Sequence, residues 1–210
     1  MGRRRLFYKP KDYEAFVEIV EETLLTRPMR ICGDCLIPNH WHLVLWPEHD
    51  GQLAAFMQRL TITHVTRWQK HRGKVGEGHL YQGRFKSFPV EENDYFYQVM
   101  RYAERNALRA EMVDRAEDWR WGSLWRRLHG SAEQRAILGP WPVAKPRRWA
   151  QLVNEPQHET AVQALRKCVA RGQPFGGNSW VAATADEFGL QFTLRSRGRP
   201  PKPTETKPSR

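Results

Sequence analysis

Two short apolar runs, Met29 to Leu36 and His40 to Trp46, follow one another with Pro38-Asn39 as the breaker between them. Proline removes a backbone donor and asparagine tolerates turn conformations, so the pair of runs reads as a β-hairpin. Helical periodicity flanks it. Tyr13, Phe16, Val17, Val20 and Leu24 predict a helix over about residues 13–25 with Asp12 as its N-cap. Leu53, Phe56, Met57, Leu60, His64 and Trp68 predict a second, ending in the polar, glycine-rich stretch Lys70–Gly78. Gly83–Val90 then reads as a further strand and Asp94 to Glu111 as one long helix with arginines on its outer positions. Strands and helices mix without strict β-α-β alternation, which points to an α+β fold with an antiparallel sheet and helices packed on one face.

Beyond Val113 the pattern loosens into Trp119-Arg120-Trp121-Gly122-Ser123-Leu124-Trp125 and then Gly139-Pro140-Trp141-Pro142. The main domain is placed at residues 1–128 and a small helical C-terminal region at 129–195, the composition changing most sharply near residue 140. Within that region, helices are expected over about Glu159–Ala170 and Trp180–Phe188. Residues 196–210 are basic, proline-rich and nearly free of apolar side chains, so a disordered tail is expected.

Lys and Arg outnumber Asp and Glu by 34 to 23, a formal charge of +11, so the chain should be drawn to a polyanion. No apolar run approaches the roughly 18 residues that suggest a spanning helix, and Met1–Arg5 leads into Leu6–Tyr8 without a signal-peptide core. Nucleic acid is therefore favoured over membrane, with a cytoplasmic, nucleoid-associated location. Three cysteines form no disulfide framework. Cys32 and Cys35 have C-x-x-C spacing, but on a strand a period of two sends them to opposite faces, so two small core residues are expected rather than a zinc site.

His40 and His42 sit two apart on the second strand of the hairpin, which aims both imidazoles from one face. Two ligands for a divalent ion would be preset there, and a third must come from elsewhere. Tyr102 and Asn106 are four apart on the long helix and share a face, one turn between a phenol and an amide oxygen. Of the six tyrosines, Tyr102 alone has such a partner within a confident helix.

Three motifs in order, Asn39-His40-Trp41-His42-Leu43, Gly78-His79-Leu80-Tyr81-Gln82-Gly83-Arg84-Phe85-Lys86-Ser87 and Arg101-Tyr102-Ala103-Glu104-Arg105-Asn106, resemble the REP-associated tyrosine transposases of the HUH single-strand nuclease class. The resemblance runs from about Leu6 to Trp125, and Arg171–Gly176 with Gly198-Arg199-Pro200 looks like the tail of many members. It implies a ferredoxin-like palm, His40 and His42 as a metal-binding pair, Asn106 completing the shell and Tyr102 as nucleophile. The implied cofactor is Mg²⁺ or Mn²⁺, with no organic cofactor. The implied reaction nicks and rejoins single-stranded DNA through a 5′-phosphotyrosine, on repeated palindromic hairpins. In the family a strand precedes the segment equivalent to Leu6-Phe7-Tyr8, whereas only Met1–Arg5 is available here. Either the given start is late, Arg3–Tyr8 substitutes, or the sheet lacks a strand and presents an open inner edge.

Single-stranded or hairpin DNA is the expected partner. Arg84, Lys86, Arg101, Arg105 and Arg109 bring positive charge toward the site, and Trp119, Trp121 and Trp125 are candidates for stacking on bases, although packing is expected to claim at least two of them. Arg197-Gly198-Arg199-Pro200 matches the core of an AT-hook, with Arg197 and Arg199 reaching into a minor groove. Two other readings compete: a non-catalytic hairpin-binding relative, and a zinc hydrolase using His40 and His42 with water as nucleophile.

Overall fold

A computed structural model describes residues 4–195. Helix α1 (Pro10–Thr26) opens with proline at its first turn, where a missing N–H costs nothing. Asp12 acts from inside that turn rather than as the N-cap, its carboxylate accepting the N–H groups of Tyr8 and Lys9 at 2.7 and 3.2 Å. Strands β1 (Arg30–Ile37) and β2 (His40–Trp46) form the hairpin, antiparallel, with Ile37 opposite His40 and Cys35 opposite His42. Helix α2 (Gln52–Arg72) follows, burying Phe56, Met57, Leu60, His64 and Trp68 along one stripe.

The long helix expected from Asp94 to Glu111 is two: α3 (Asp94–Glu104) and the single turn α4 (Asn106–Arg109). The break at Arg105 has local causes. Glu104 is buried and pinned by hydrogen bonds from Ser123 Oγ and Trp149 Nε1, both 2.6 Å, while the Arg105 guanidinium donates to the carbonyls of Val153 and Asn154. A 3-10 turn (Ala116–Asp118) then leads to α5 (Ser123–His129), α6 (Ala132–Ala136), α7 (Trp149–Asn154), α8 (Glu159–Arg171), α9 (Asn178–Glu187) and α10 (Gln191–Leu194). The two expected C-terminal helices are α8 and α9. No described helix is long and apolar enough to cross a membrane.

The architecture is α+β, with helices on both faces of the hairpin rather than one. Leu36, Trp41, Leu43 and Leu45 pack with Phe7, Phe16, Ile19, Phe56 and Leu60 in the cluster built by α1 and α2. On the other face, Cys35 and Ile37 meet Ala107 of α4, and Val44 meets Phe96 and Met100 of α3. Gly33 lets α3 come this close, since a Cβ there would lie 2.4 Å from the Met100 methyl.

Gly83–Val90 does not form a strand: Val90 makes one isolated parallel bridge to Phe175. Pro89 has no N–H to give a ladder, and only the end of the segment, Phe88 and Val90, packs on the core beside Phe175, while residues 83–87, Phe85 included, are exposed. Nor is there a strand in residues 4–9, whose Leu6 and Phe7 N–H groups both donate to Pro38 O and clamp the hairpin turn. The described sheet has two strands.

β1's outer edge is nevertheless covered. Leu36 N–H donates to Trp121 O at 2.8 Å, Trp119 Nε1 donates to Leu36 O at 2.8 Å, Asp34 N–H donates to Ser123 Oγ at 3.0 Å, and Gly139 N–H donates to Ile31 O at 2.9 Å. A buried ion pair, Asp34–Arg126 at 2.5 Å, crosses the same seam. At Cys32 the strand bulges between Ile31 and Gly33, and Arg127 and Trp141 donate to the Cys32 carbonyl. That bulge overturns the period-two argument for the cysteines. Cys32 packs with Phe96 and Met100 and Cys35 with Ala107, so both lie toward α3 and α4, as buried free thiols in separate clusters. Burial pushes the Cys32 thiol up to about 11.

Candidate active site

Of the two histidines, His40 begins β2, directly after the turn, and His42 follows on the same face. Their rings are half-buried and meet edge to face with centroids 5.0 Å apart. Two imidazoles bound to one ion through nitrogens about 2.1 Å from it would hold their ring centroids roughly 5 Å apart, so the pair has the spacing a shared ion needs. His40 Nδ1 lies 2.8 Å from Asn39 Oδ1, the kind of outer hydrogen bond that fixes a ligand's ring orientation.

Facing them are the side chains of α3 and α4. The Tyr102 ring stands edge-on to His42 with centroids 5.6 Å apart. Asn106 is 4% exposed, with Nδ2 3.2 Å from His40 Nε2. The helix break does not separate these residues, because Arg105 keeps right-handed dihedrals (φ −79°, ψ −2°) and the chain turns on in the same sense. Four side chains singled out from sequence thus converge: His40, His42, Tyr102 and Asn106. Among the described residues no group of three or more His, Cys, Asp or Glu side chains could hold a metal ion, so an ion here would rest on the two imidazoles and the Asn106 amide.

Arg109 is the neighbour that sequence reasoning left in the background. Its guanidinium carbon lies 4.2 Å from the centroid of the Tyr102 ring, and Nη2 donates to Asn106 Oδ1 at 2.6 Å. Burial holds its pKa below the ordinary arginine value. The signal was available, since 102, 106 and 109 are spaced by four and three.

The family model for "Transposase IS200 like" matches residues 1–106, half of the chain, and includes every one of those four residues. The chain belongs to the IS200-like transposase family. No curated protein and no solved structure matches it.

In this family member the arginines expected near DNA divide into groups. Arg84 and Lys86 lie on the exposed irregular segment before α3. Arg101 donates to Glu155 O at 3.0 Å and Arg105 to Val153 O at 3.0 Å and to Asn154 O, so both guanidiniums hold the C-terminal end of α7. Arg197 and Arg199 lie outside the described residues. Trp121 stacks on Tyr13 (4.9 Å, 12°) and Trp119 meets the same ring edge-on, so these two indoles are packing elements, whereas Trp125 is half-buried beside Arg120 and His129.

Tyr102 is also supported from below. Tyr95, Val99 and Tyr102 form one stripe of α3 packed with Leu165 and Cys168 of α8 and with Phe175. Phe175 meets the Tyr95 ring edge-on at 5.0 Å and is tied by backbone bonds to Pro89 and Glu91. The stretch from Arg171 to Gly176, singled out by resemblance, therefore buttresses the helix that carries the phenol.

Proposed function

We propose that this transposase-family chain nicks and rejoins single-stranded DNA through one tyrosine, Tyr102, with a divalent ion, Mg²⁺ or Mn²⁺, held by His40, His42 and the Asn106 oxygen. The observation that carries this reading is the 5.6 Å approach of the Tyr102 ring to His42, whose partner His40 stands at the spacing of two imidazoles on one ion. A bound divalent ion would neutralise a non-bridging phosphate oxygen and polarise phosphorus. Tyr102 would give up its proton and form an Oη–P bond, the P–O3′ bond would break, and the departing 3′ oxygen would take a proton. The 5′-phosphotyrosine keeps the phosphodiester's energy, so attack by a 3′-hydroxyl can reverse the step without ATP. The +11 charge supports a nucleic-acid substrate, and resemblance supports hairpins of repeated palindromic elements.

The test is incubation of 5′- and 3′-labelled single-stranded hairpin DNA with protein and Mn²⁺, followed by denaturing electrophoresis. A covalent protein–DNA band is expected, absent with chelator and absent for Tyr102→Phe, which retains the ring and loses the nucleophile. Hairpin binding without any adduct would instead establish the non-catalytic relative. Cleavage that survives Tyr102→Phe would establish a water nucleophile.

A further inference from the structure

Asn106 has one amide oxygen, and two positive partners have a claim on it. A guanidinium carries only donors, so the Asn106 atom 2.6 Å from Arg109 Nη2 has to be Oδ1, which turns Nδ2 toward His40 Nε2 at 3.2 Å. On the far side of the imidazole, Asn39 Oδ1 can only accept, so His40 Nδ1 carries the proton and Nε2 the lone pair. The relay Arg109→Asn106→His40→Asn39 is thereby consistent at every link, a donor meeting an acceptor each time. In that arrangement the ligating nitrogen of His40 looks at an amide N–H, which cannot coordinate a cation.

For Asn106 to present oxygen to an ion on His40, its amide must turn over by about half a revolution, and its NH₂ would then face the guanidinium, donor against donor. With Arg109 and His40 at opposite ends of the Asn106 amide, the Arg109 contact and the ion contact cannot both be made. Resting on the metal reading above, we infer that Arg109 is a positioning residue that competes with the divalent ion for Asn106 Oδ1 and keeps the site in its ion-free arrangement. When the ion takes the oxygen, the guanidinium is released from Asn106. It remains beside Tyr102, over whose ring it already lies at 4.2 Å, where the phosphate attacked by that phenol must sit. Loading of the ion and capture of the phosphate are in this way coupled through one side chain, and such coupling is reciprocal.

Mn²⁺ affinity measured by electron paramagnetic resonance of the full chain, without DNA, tests this apart from activity. Arg109→Met should bind Mn²⁺ more tightly than wild type, on the order of tenfold for the loss of one charge-assisted hydrogen bond that the ion must otherwise displace. In an Asn106→Ala background the same substitution should give no such gain, because the contested oxygen is gone. An equal gain in both backgrounds would reduce Arg109 to a remote charge and overturn the inference. So would unchanged or weaker binding by a folded Arg109→Met.

Should that variant fail to fold, the wild-type protein still decides the matter. Its Arg109 side-chain ¹⁵N resonance, assigned with Arg109→Lys, should shift when Mg²⁺ saturates the site, and an unmoved resonance counts against the competition. Wild type whose Mn²⁺ binding is absent, or indifferent to His40→Ala and His42→Ala, overturns the metal site itself and the inference with it. Loss of the Arg109 effect alone leaves the metal site standing.

Discussion

Acid should destabilise this protein through His64 on α2, which packs among the aromatic rings of the α1–α2 cluster. His64 is 4% exposed, lying parallel to Phe7 at 5.9 Å and edge-on to Phe16 at 4.8 Å. Trp41 Nε1 donates to Tyr81 Oη at 3.1 Å, so the phenol keeps its own proton for His64 Nδ1 at 2.5 Å. That relay requires a neutral imidazole accepting at Nδ1. A proton there would set two donors against each other in an apolar pocket, and burial pushes the His64 pKa down to about 4, against a small opposing pull from Asp12. The native imidazole therefore stays neutral as pH falls past 6.5, while the unfolded one takes up a proton. Stability from this group is complete above the unfolded value and is lost as pH falls toward the folded one.

Between about pH 7 and 4.5 the unfolded chain binds a proton that the native chain declines over nearly two pH units, at about 1.4 kcal/mol each, a loss of about 2.5 kcal/mol. Urea denaturation across that range measures it. His64→Gln keeps an acceptor for Tyr81 and cannot titrate, so its stability should fall by about 2.5 kcal/mol less than wild type over the same interval. Carboxylates elsewhere contribute equally to both profiles and cancel in the difference. Parallel profiles would refute the reasoning, because they would mean that the folded imidazole gains its proton as readily as the unfolded one. The consequence reaches the site, since Trp41, the origin of the relay, stands between His40 and His42 on β2.

Gly176→Ala should cost about 1–3 kcal/mol in urea denaturation, because a Cβ there meets Trp180 Cε3 at 2.5 Å and Glu91 Oε2 at 2.7 Å. An unchanged midpoint would mean that the Phe175 segment is held less closely against α3 than its packing indicates. Single substitutions Arg84→Ala and Lys86→Ala should each reduce the slope of log affinity for single-stranded DNA against log salt by about 0.7, the change expected when one phosphate is no longer neutralised. Arg105→Ala should leave that slope alone and lower the melting temperature, because its guanidinium already serves the carbonyls at the end of α7. A fall in slope for Arg105→Ala would return it to the DNA-binding surface.

The hairpin and both long flanking helices were legible because their signals are local. Pro38-Asn39 interrupts two apolar runs, His40 and His42 alternate with Trp41 and Leu43, and the α2 stripe from Phe56 to Trp68 keeps one period throughout. What escaped was set by partners distant in sequence. The bulge at Cys32 depends on Arg127 and Trp141, the helix break at Arg105 on Ser123, Trp149 and the end of α7, and the covering of β1 on Trp119 and Trp121. The tryptophan-rich segment reads equally well as an aromatic surface or as an edge seal, and only the backbone bonds decide. Helices of four to seven residues such as α4 to α7 fall below the length at which helices sustain themselves, so no periodicity announces them.

A two-stranded hairpin is marginal by itself, and the geometry of a pair of imidazoles is only as firm as the strand that carries them. Here the residues shared with the family, 1–106, supply both histidines, the phenol and the amide. They do not supply the groups that satisfy the outer edge of β1. The outer edge is satisfied by Trp121, Ser123 and Gly139, and the Asp34–Arg126 pair and the Ser123–Glu104 bond tie that edge to α5 and to the last turn of α3. Ser123 thus links both halves of the site with one hydroxyl: it accepts from Asp34 in the hairpin and donates to Glu104, two residues beyond Tyr102. Relative placement of imidazoles and phenol therefore rests not only on the packing of the hairpin against α3 but also on groups outside the family-matched segment, buried polar groups such as the Asp34–Arg126 pair whose loss would leave unpaired charge in the core and not merely a looser surface.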